Sequence, residues 1–449
     1  MNFGFKSKVI PGLKGAYHTF VHSKTTGGIL LLICAAVAVM SANIPSMRGL
    51  YELWHMEVGF SFGEFSFKMP LEMWINDVLM TIFFFSVGLE IKRELLVGEL
   101  SSPKKALLPI FAALGGMLVP AAIYAFINGG TPSANGWGIP MATDIAFAIG
   151  ILSLLGNRCP LSLKVFLTAL AIVDDIGAII VLAVFYPSHA LHLNYLIFAA
   201  VIILILLIIN RSGVKSAAAY LIPGFFLFLC VFQSGIHATI AGVILAMTIP
   251  ATTSINEVRF YVGTKSLLEK FKDAGNSEVQ VLANSEQLDY IYRISQSVKT
   301  MNPLLHRLES KLHPWVNFFI MPVFALANAG VEINGEVISS GIVPPVMQGI
   351  FFGLLLGKPI GITLFSYIAV KLKLAQAPKG ALWRQVFALG IVGGIGFTMS
   401  IFIDNLAFQD KMLIDEGKLA ILVTSVCAAI IGLLALFLTT RATNTDEKQ

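Results

Sequence analysis

The sequence predicts an all-α polytopic membrane protein with twelve transmembrane helices, two of them interrupted, and a small β-hairpin outside the bilayer. Three observations predict it. Of 449 residues, 56% are hydrophobic and 13% charged, where a soluble domain is typically about 25% charged; the mean hydropathy is +0.79. Such a chain lacks the polar surface to face water on all sides, so a lipid bilayer is its expected solvent. The apolar runs are continuous and rich in Leu, Ile and Ala, whereas membrane barrels read as alternating strands of roughly ten residues. The third observation is how the basic residues are distributed.

A spanning helix needs roughly 20 apolar residues. Apolar runs bounded by charge or turn residues lie at about 26–43, 71–97, 105–128, 132–155, 160–186, 193–210, 216–233, 235–250, 313–332, 343–370, 385–404 and 418–440. Asn128-Gly129-Gly130-Thr131-Pro132 parts the third from the fourth, and Gln233-Ser234-Gly235 the seventh from the eighth. With the N-terminus placed in the cytoplasm, 26 of the 31 Lys and Arg fall on the cytoplasmic side, as positive-inside charge bias requires. Arg48, Lys68, Lys411 and Lys418 fall outside, and Lys358 lies mid-span. The expected plan is a cytoplasmic segment 1–25, eight spans over 26–250, an enlarged cytoplasmic loop 251–312, four spans over 313–440 and a cytoplasmic tail 441–449. The chain is expected in a bacterial inner membrane with both termini inside.

The net charge of +5 is accounted for by this topology, and no nucleic-acid partner is expected. Cys34, Cys159, Cys230 and Cys427 are far apart with no CxxC spacing, so neither a disulfide framework nor a zinc site is expected. No cofactor is expected. The first apolar run ends in Ser41-Ala42-Asn43, which a leader cleavage site can resemble; the run is expected to be retained.

Residues 56–69 alternate apolar and polar around Gly63, as a hairpin does. Its exposed edge invites pairing with a second copy or folds back onto its own chain. The loop 251–312 has helical apolar spacing at Leu288, Ile291, Tyr292 and Val298. It reads as one or two amphipathic helices on the membrane surface or as a solvated linker.

Ionisable groups at membrane depth are costly and point to function. They are Asp144 in the fourth span, adjacent Asp174 and Asp175 in the fifth, Lys358 in the tenth, Asp77, Glu90 and Glu94 in the second, and His237 at the start of the eighth. Neighbouring helix residues point about 100° apart, so Asp174 and Asp175 line adjacent sectors of one wall. Two close carboxylates repel, which favours holding a proton or recruiting a cation. A site that holds either but not both is the core of an exchanger. Na+ is a hard ion suited to oxygen ligands: these carboxylates, Thr143, Thr168 and freed carbonyls. A static ion-pair network is the bland alternative, but Lys358 can neutralise one aspartate only.

Gly136, Gly138 and Pro140 precede Asp144, and Gly390, Gly393, Gly394 and Gly396 precede Thr398. Such residues at membrane depth predict discontinuous helices whose freed backbone lines a cavity or protein interior. Asp144 suits two facing N-terminal half-helix ends and Lys358 two C-terminal ends. Breaks in the fourth and eleventh spans also suit an inverted repeat of spans three to five with ten to twelve. His237 titrates near neutral pH or is simply hydrogen-bonded. Glu90, Arg93 and Glu94 have the spacing of a juxtamembrane salt bridge.

The segments Val87-Gly-Leu-Glu-Ile-Lys-Arg-Glu94, Ala142-Thr-Asp-Ile-Ala-Phe-Ala148, Ala171-Ile-Val-Asp-Asp-Ile-Gly177, Ser234-Gly-Ile-His-Ala-Thr239, Leu312-His-Pro-Trp315, Phe324-Ala-Leu-Ala-Asn-Ala-Gly330, Gly357-Lys-Pro359 and Gly396-Phe-Thr-Met-Ser400 resemble the NhaA family of Na+/H+ antiporters, in order, from about residue 14 to 440. The resemblance implies the twelve-helix fold with inverted repeats and crossing breaks, and a homodimer built through the periplasmic hairpin. It implies electrogenic exchange of two protons for one Na+ or Li+, serving pH and sodium homeostasis. It places the ion and proton site at Asp174 and Asp175 with Thr143 nearby. It has Lys358 pair with Asp174 in the proton-loaded state, and Asp144 balance the half-helix dipoles. Glu90, Arg93, Glu94, His237, Glu309 and His313 fall where the family carries pH regulation. One departure is the loop 251–312, far longer than the family's usual connection and adjoining Glu309, so the pH set-point does not carry over.

Two other classes fit less well. An intramembrane aspartyl protease needs carboxylates that face each other and share a proton, whereas adjacent residues on one helix diverge. A cation channel has no need of a buried lysine beside coupled carboxylates. Proton counterflow separates both from an exchanger.

Overall fold

The computed structural model describes residues 24–62, 65–187, 191–253, 256–275, 281–332, 343–378 and 380–446. Helix α1 (Lys24–Asn43) leads into the short α2 (Arg48–His55). Strands β1 (Glu57–Phe62) and β2 (Phe65–Pro70) pair antiparallel with Glu57 opposite Pro70 and Val58 opposite Met69. The hairpin expected from alternation at 56–69 is present; its turn at Gly63 lies outside the described residues. Trp74 donates its indole N–H to Val58 O at 2.8 Å, which fixes the hairpin to the helix that follows it.

That helix is α3 (Leu71–Val97), with a π turn at Ile75–Leu79. After it come α4 (Pro103–Asn128), a 3-10 stretch Ala134–Met141 with α5 (Ile145–Leu154), α6 (Leu161–Phe185), α7 (Leu193–Arg211), α8 (Ala218–Ser234) and α9 (Thr239–Thr248). Gly235 ends α8 in the left-handed region at φ 89°, which glycine adopts without steric cost. Among the described residues, seven helices are long and apolar enough to cross a membrane: α1, α3, α4, α6, α7, α13 (Pro345–Lys371) and α16 (Lys411–Asp446). Two bent pairs bring the number to nine. One is Ala134–Met141 with α5, bent by 42°; the other is α14 (Trp383–Gly393) with α15 (Phe397–Ala407), bent by 51°. These are the two places where Gly and Pro predicted broken helices. The chain is a multi-pass membrane protein. Helix α7 carries its hydrophobics outward, with Leu204 and Ile208 more than half exposed; such a surface is stable against lipid, not water.

The loop expected over 251–312 folds as two helices, α10 (Glu257–Asp273) and α11 (Ser285–Met301). Asn256 and Asn284 cap them by accepting the N–H groups of Val258 and Gln287. Gln287 donates to Phe271 O at 3.0 Å, tying the two together. The stripe Leu288, Ile291, Tyr292 and Val298 stays exposed. Leu305 N–H reaches Pro250 O at 3.3 Å, so the insertion leaves and rejoins the bundle at one point. The ninth span starts earlier than its expected 313: α12 runs from Leu304 to Trp315, through a π turn Val316–Ile320, to Met321–Asn328. Leu304, Leu305 and Leu308 draw its first turns into the apolar cluster formed with α3 and α9. The last span also starts earlier, at Lys411 rather than 418, and Lys418 is buried within it rather than outside.

Helices α4 and α13 approach backbone to backbone at Gly115 and Gly361. Small residues permit such approach where lipid supplies no hydrophobic drive between helices. A Cβ at Gly361 collides with Gly115 O, so Gly361→Ala is expected to destabilise the protein by about 1–3 kcal/mol through overpacking. Thermal unfolding in detergent checks this; an unchanged midpoint would mean the helices separate freely.

Candidate functional site

The two broken pairs meet at their breaks. Asp144 N–H donates to Ile395 O at 2.8 Å, and Ser400 Oγ donates to Ile139 O at 2.9 Å. Each break therefore satisfies part of the other's freed backbone, which is how irregular structure persists at membrane depth.

Asp144 is 1% exposed and caps α5, accepting the N–H of Phe147 at 2.9 Å through Oδ1. Its Oδ2 accepts the Thr398 N–H at 3.2 Å, from the first turn of α15, and the Thr398 hydroxyl. One carboxylate thus lies against the N-terminal ends of two half-helices, where partial positive charge favours it.

Lys358 on α13 is fully buried. Its ammonium donates to Asp174 Oδ2 at 2.5 Å and to Thr143 Oγ1 at 2.9 Å. Thr143 Oγ1 also lies 2.9 Å from Asp174 Oδ2 and from Gly393 O; its single proton serves one of the two. Both broken pairs, α6 and α13 thus contribute to one buried cluster. Asp174 Oδ1 and Asp175 Oδ1 have no hydrogen-bond partner among the described residues, although Asp175 is 2% exposed. The negative charges bearing on Asp175 are those of Asp174, Glu90 and Asp144, with Lys358 opposing them. Two unbonded carboxylate oxygens on adjacent buried residues form an acceptor set chemically suited to a proton or a hard cation.

Thr168, the other hydroxyl expected as a ligand, donates to Lys164 O one turn back on α6 at 3.0 Å. Its proton is engaged by its own helix, as Thr hydroxyls in helices often are, while its oxygen lone pairs stay available. The Glu90–Arg93–Glu94 group forms as expected and gains a fourth member from α12. Arg93 lies 2.9 Å from Glu309, 3.1 Å from Glu94 and 3.8 Å from Glu90. Beside it, Lys92 donates to Met247 O and Ile249 O at 2.6 and 2.5 Å, closing the C-terminal end of α9. His237 is buried just before α9. His313 faces Asn317 one turn along α12 at 3.3 Å.

Two charges escaped the reading by sequence. Asp404 is wholly buried, with neither carboxylate oxygen bonded among the described residues, and Lys418 is 6% exposed. Each sits near the end of an apolar run, where a charge ordinarily reads as the edge of a span.

Residues 18–436 match a family model described as Na+/H+ antiporter 1. The chain is 48% identical over 421 residues to the Na(+)/H(+) antiporter NhaA of Wolinella succinogenes, covering 94% of this chain and 92% of that one. It is 46% identical over 429 residues to the NhaA of Oleidesulfovibrio alaskensis, covering 96% and 95%. It is 46% identical over 422 residues to the NhaA of Helicobacter pylori, covering 93% and 94%.

Proposed function

The chain belongs to the Na+/H+ antiporter 1 family, and from that premise we propose that it exports Na+ in exchange for protons at Asp174 and Asp175. The observation that carries the reading is the pair of unbonded oxygens on these adjacent buried carboxylates, one of which shares its residue with the Lys358 ion pair. In this arrangement Asp174 is committed to Lys358 and Asp175 is not. For one Na+ to draw on both carboxylates, Lys358 must release Asp174. Its ammonium then stands without its counter-charge in a dry interior, where an unpaired charge is costly. One proton leaves Lys358 and one leaves Asp175 as Na+ enters, so two protons exchange for one Na+ and a net charge moves. Li+, a smaller hard cation, uses the same oxygens.

Thr143 positions Asp174 and Lys358, and Asp144 holds the half-helix ends together while the site turns from one face to the other. Alternating access suits a site that must see both sides but never both at once. The function takes place in the bacterial inner membrane with both termini cytoplasmic. Twelve spans follow when α8, α9 and α12 are counted with the nine above. The β1–β2 hairpin offers its free edge to a second copy, supporting a homodimer. Glu90, Arg93, Glu94 and Glu309, joined across α3 and α12, are together with His237 and His313 the residues that carry pH regulation in this reading.

The test is proton release from acidified inverted vesicles, followed with a pH-sensitive dye from pH 6.5 to 9. Na+ and Li+ are expected to collapse the gradient and K+ is not. If no cation collapses it at any pH, the antiport reading fails.

A further inference from the structure

Asp404 lies in the last turn of α15, wholly buried, with neither oxygen hydrogen-bonded among the described residues. It faces α16 at Gly417, where a Cβ would collide with its Oδ1, so the backbone of α16 comes directly against the carboxylate. The cation bearing on it is Lys418, the next residue, and Asp415 opposes with like charge. Lys418 is itself buried, yet its ammonium faces another acid: Glu72 Oε1 at 3.9 Å, in the first turn of α3. The other oxygen of Glu72 lies 3.8 Å from His55 Nε2, beside the hairpin. One buried ammonium therefore faces Glu72 while the residue before it, Gly417, packs against Asp404 on another helix, and the Asp404 oxygens have no hydrogen-bond partner among the described residues. A buried charge at this depth is costly unless paired, and the four-carbon lysine stem reorients readily.

We propose that Lys418 is a gating residue that exchanges between Glu72 and Asp404 during transport. Bound to Glu72, it ties α16 to the head of α3 and closes the hairpin end of the bundle. Bound to Asp404, it pairs within α15 and α16 and frees α3. Helix α15 links this exchange to the ion site, because its first turn holds Asp144 through Thr398 while its last turn carries Asp404. A movement of α15 that reorganises the breaks carries Asp404 relative to Lys418. Met73 on α3 and Met412 on α16, 52% and 62% exposed, mark the two helices at this end. The inference rests on the antiport reading above.

The test uses the full chain with its four cysteines replaced by alanine and spin labels at positions 73 and 412, reconstituted in lipid vesicles. Pulsed magnetic resonance gives the distance distribution with and without Na+. Asp404→Asn leaves Glu72 as the sole partner of Lys418. It is expected to remove the longer-distance population and to slow exchange about fivefold or more. Glu72→Gln is expected to enrich the longer distances. Both changes are near-isosteric, and Glu72 is partly exposed, so at least one variant folds. Distributions identical to wild type in both variants, or shifted the same way in both, overturn the gate. Absence of exchange by the wild-type chain in the same vesicles overturns the antiport reading instead.

Discussion

Asp175→Asn is expected to abolish Na+-driven proton release while the protein still inserts and folds. The amide keeps the shape of the carboxyl but removes its charge and its exchangeable proton. A unit charge about 4 Å from a cation contributes on the order of 4 kcal/mol at the effective dielectric of a protein, so the loss weakens Na+ binding by roughly a thousandfold. Stability should not follow. Asp175 Oδ1 has no partner among the described residues, so the substitution breaks no hydrogen bond there, and the neutral amide stands in for the protonated carboxyl of the resting state. Vesicle exchange and thermal unfolding measured on one preparation check both halves. Retained exchange in this variant would sink the assignment of the site, whereas lost exchange with lost folding would show Asp175 to be structural.

Lys358→Met is expected to lose transport and stability together, the opposite signature. Lys358 and Asp174 both have fully buried side chains and meet at 2.5 Å. Removing one partner of such a pair leaves an uncompensated buried charge and costs about 3–5 kcal/mol, whereas replacing both by neutral groups is often nearly neutral. Thermal unfolding in detergent should therefore show Lys358→Met well below wild type and the double variant Lys358→Met with Asp174→Asn close to it. Equal midpoints for the single and the double variant would mean that Asp174 carries no charge in the resting protein. Thr143 sharpens the comparison: it lies 2.9 Å from both partners and stays in place in the double variant.

Much of this architecture was legible in the chain itself. The hairpin showed in its alternation, and the breaks near 141–144 and 394–396 showed as Gly and Pro beside charge at membrane depth. Asp144, Asp174, Asp175 and Lys358 stood out because a charge inside an apolar run has no local explanation. Element limits were less legible. Lys418 read as a residue outside the membrane because charge ordinarily ends a span, yet α16 begins at Lys411 and buries it. Helix α12 starts at Leu304 because three leucines find a neighbouring apolar surface, a fact of packing that no window of sequence contains. Asp404 went unseen for the same reason as Lys418.

By itself, the sequence determined the solvent of this protein, its helical class, the places where its helices break and the charges buried at depth. These follow from composition and from local rules of backbone and burial that act within a few residues. The tertiary structure alone decided the pairings. It set Asp144 on Thr398, Arg93 on Glu309 and Lys418 on Glu72, and it realised the Lys358–Asp174 pair that the resemblance had implied. These partners are mostly far apart along the chain, and which helices adjoin depends on how backbones such as those at Gly115 and Gly361 fit together.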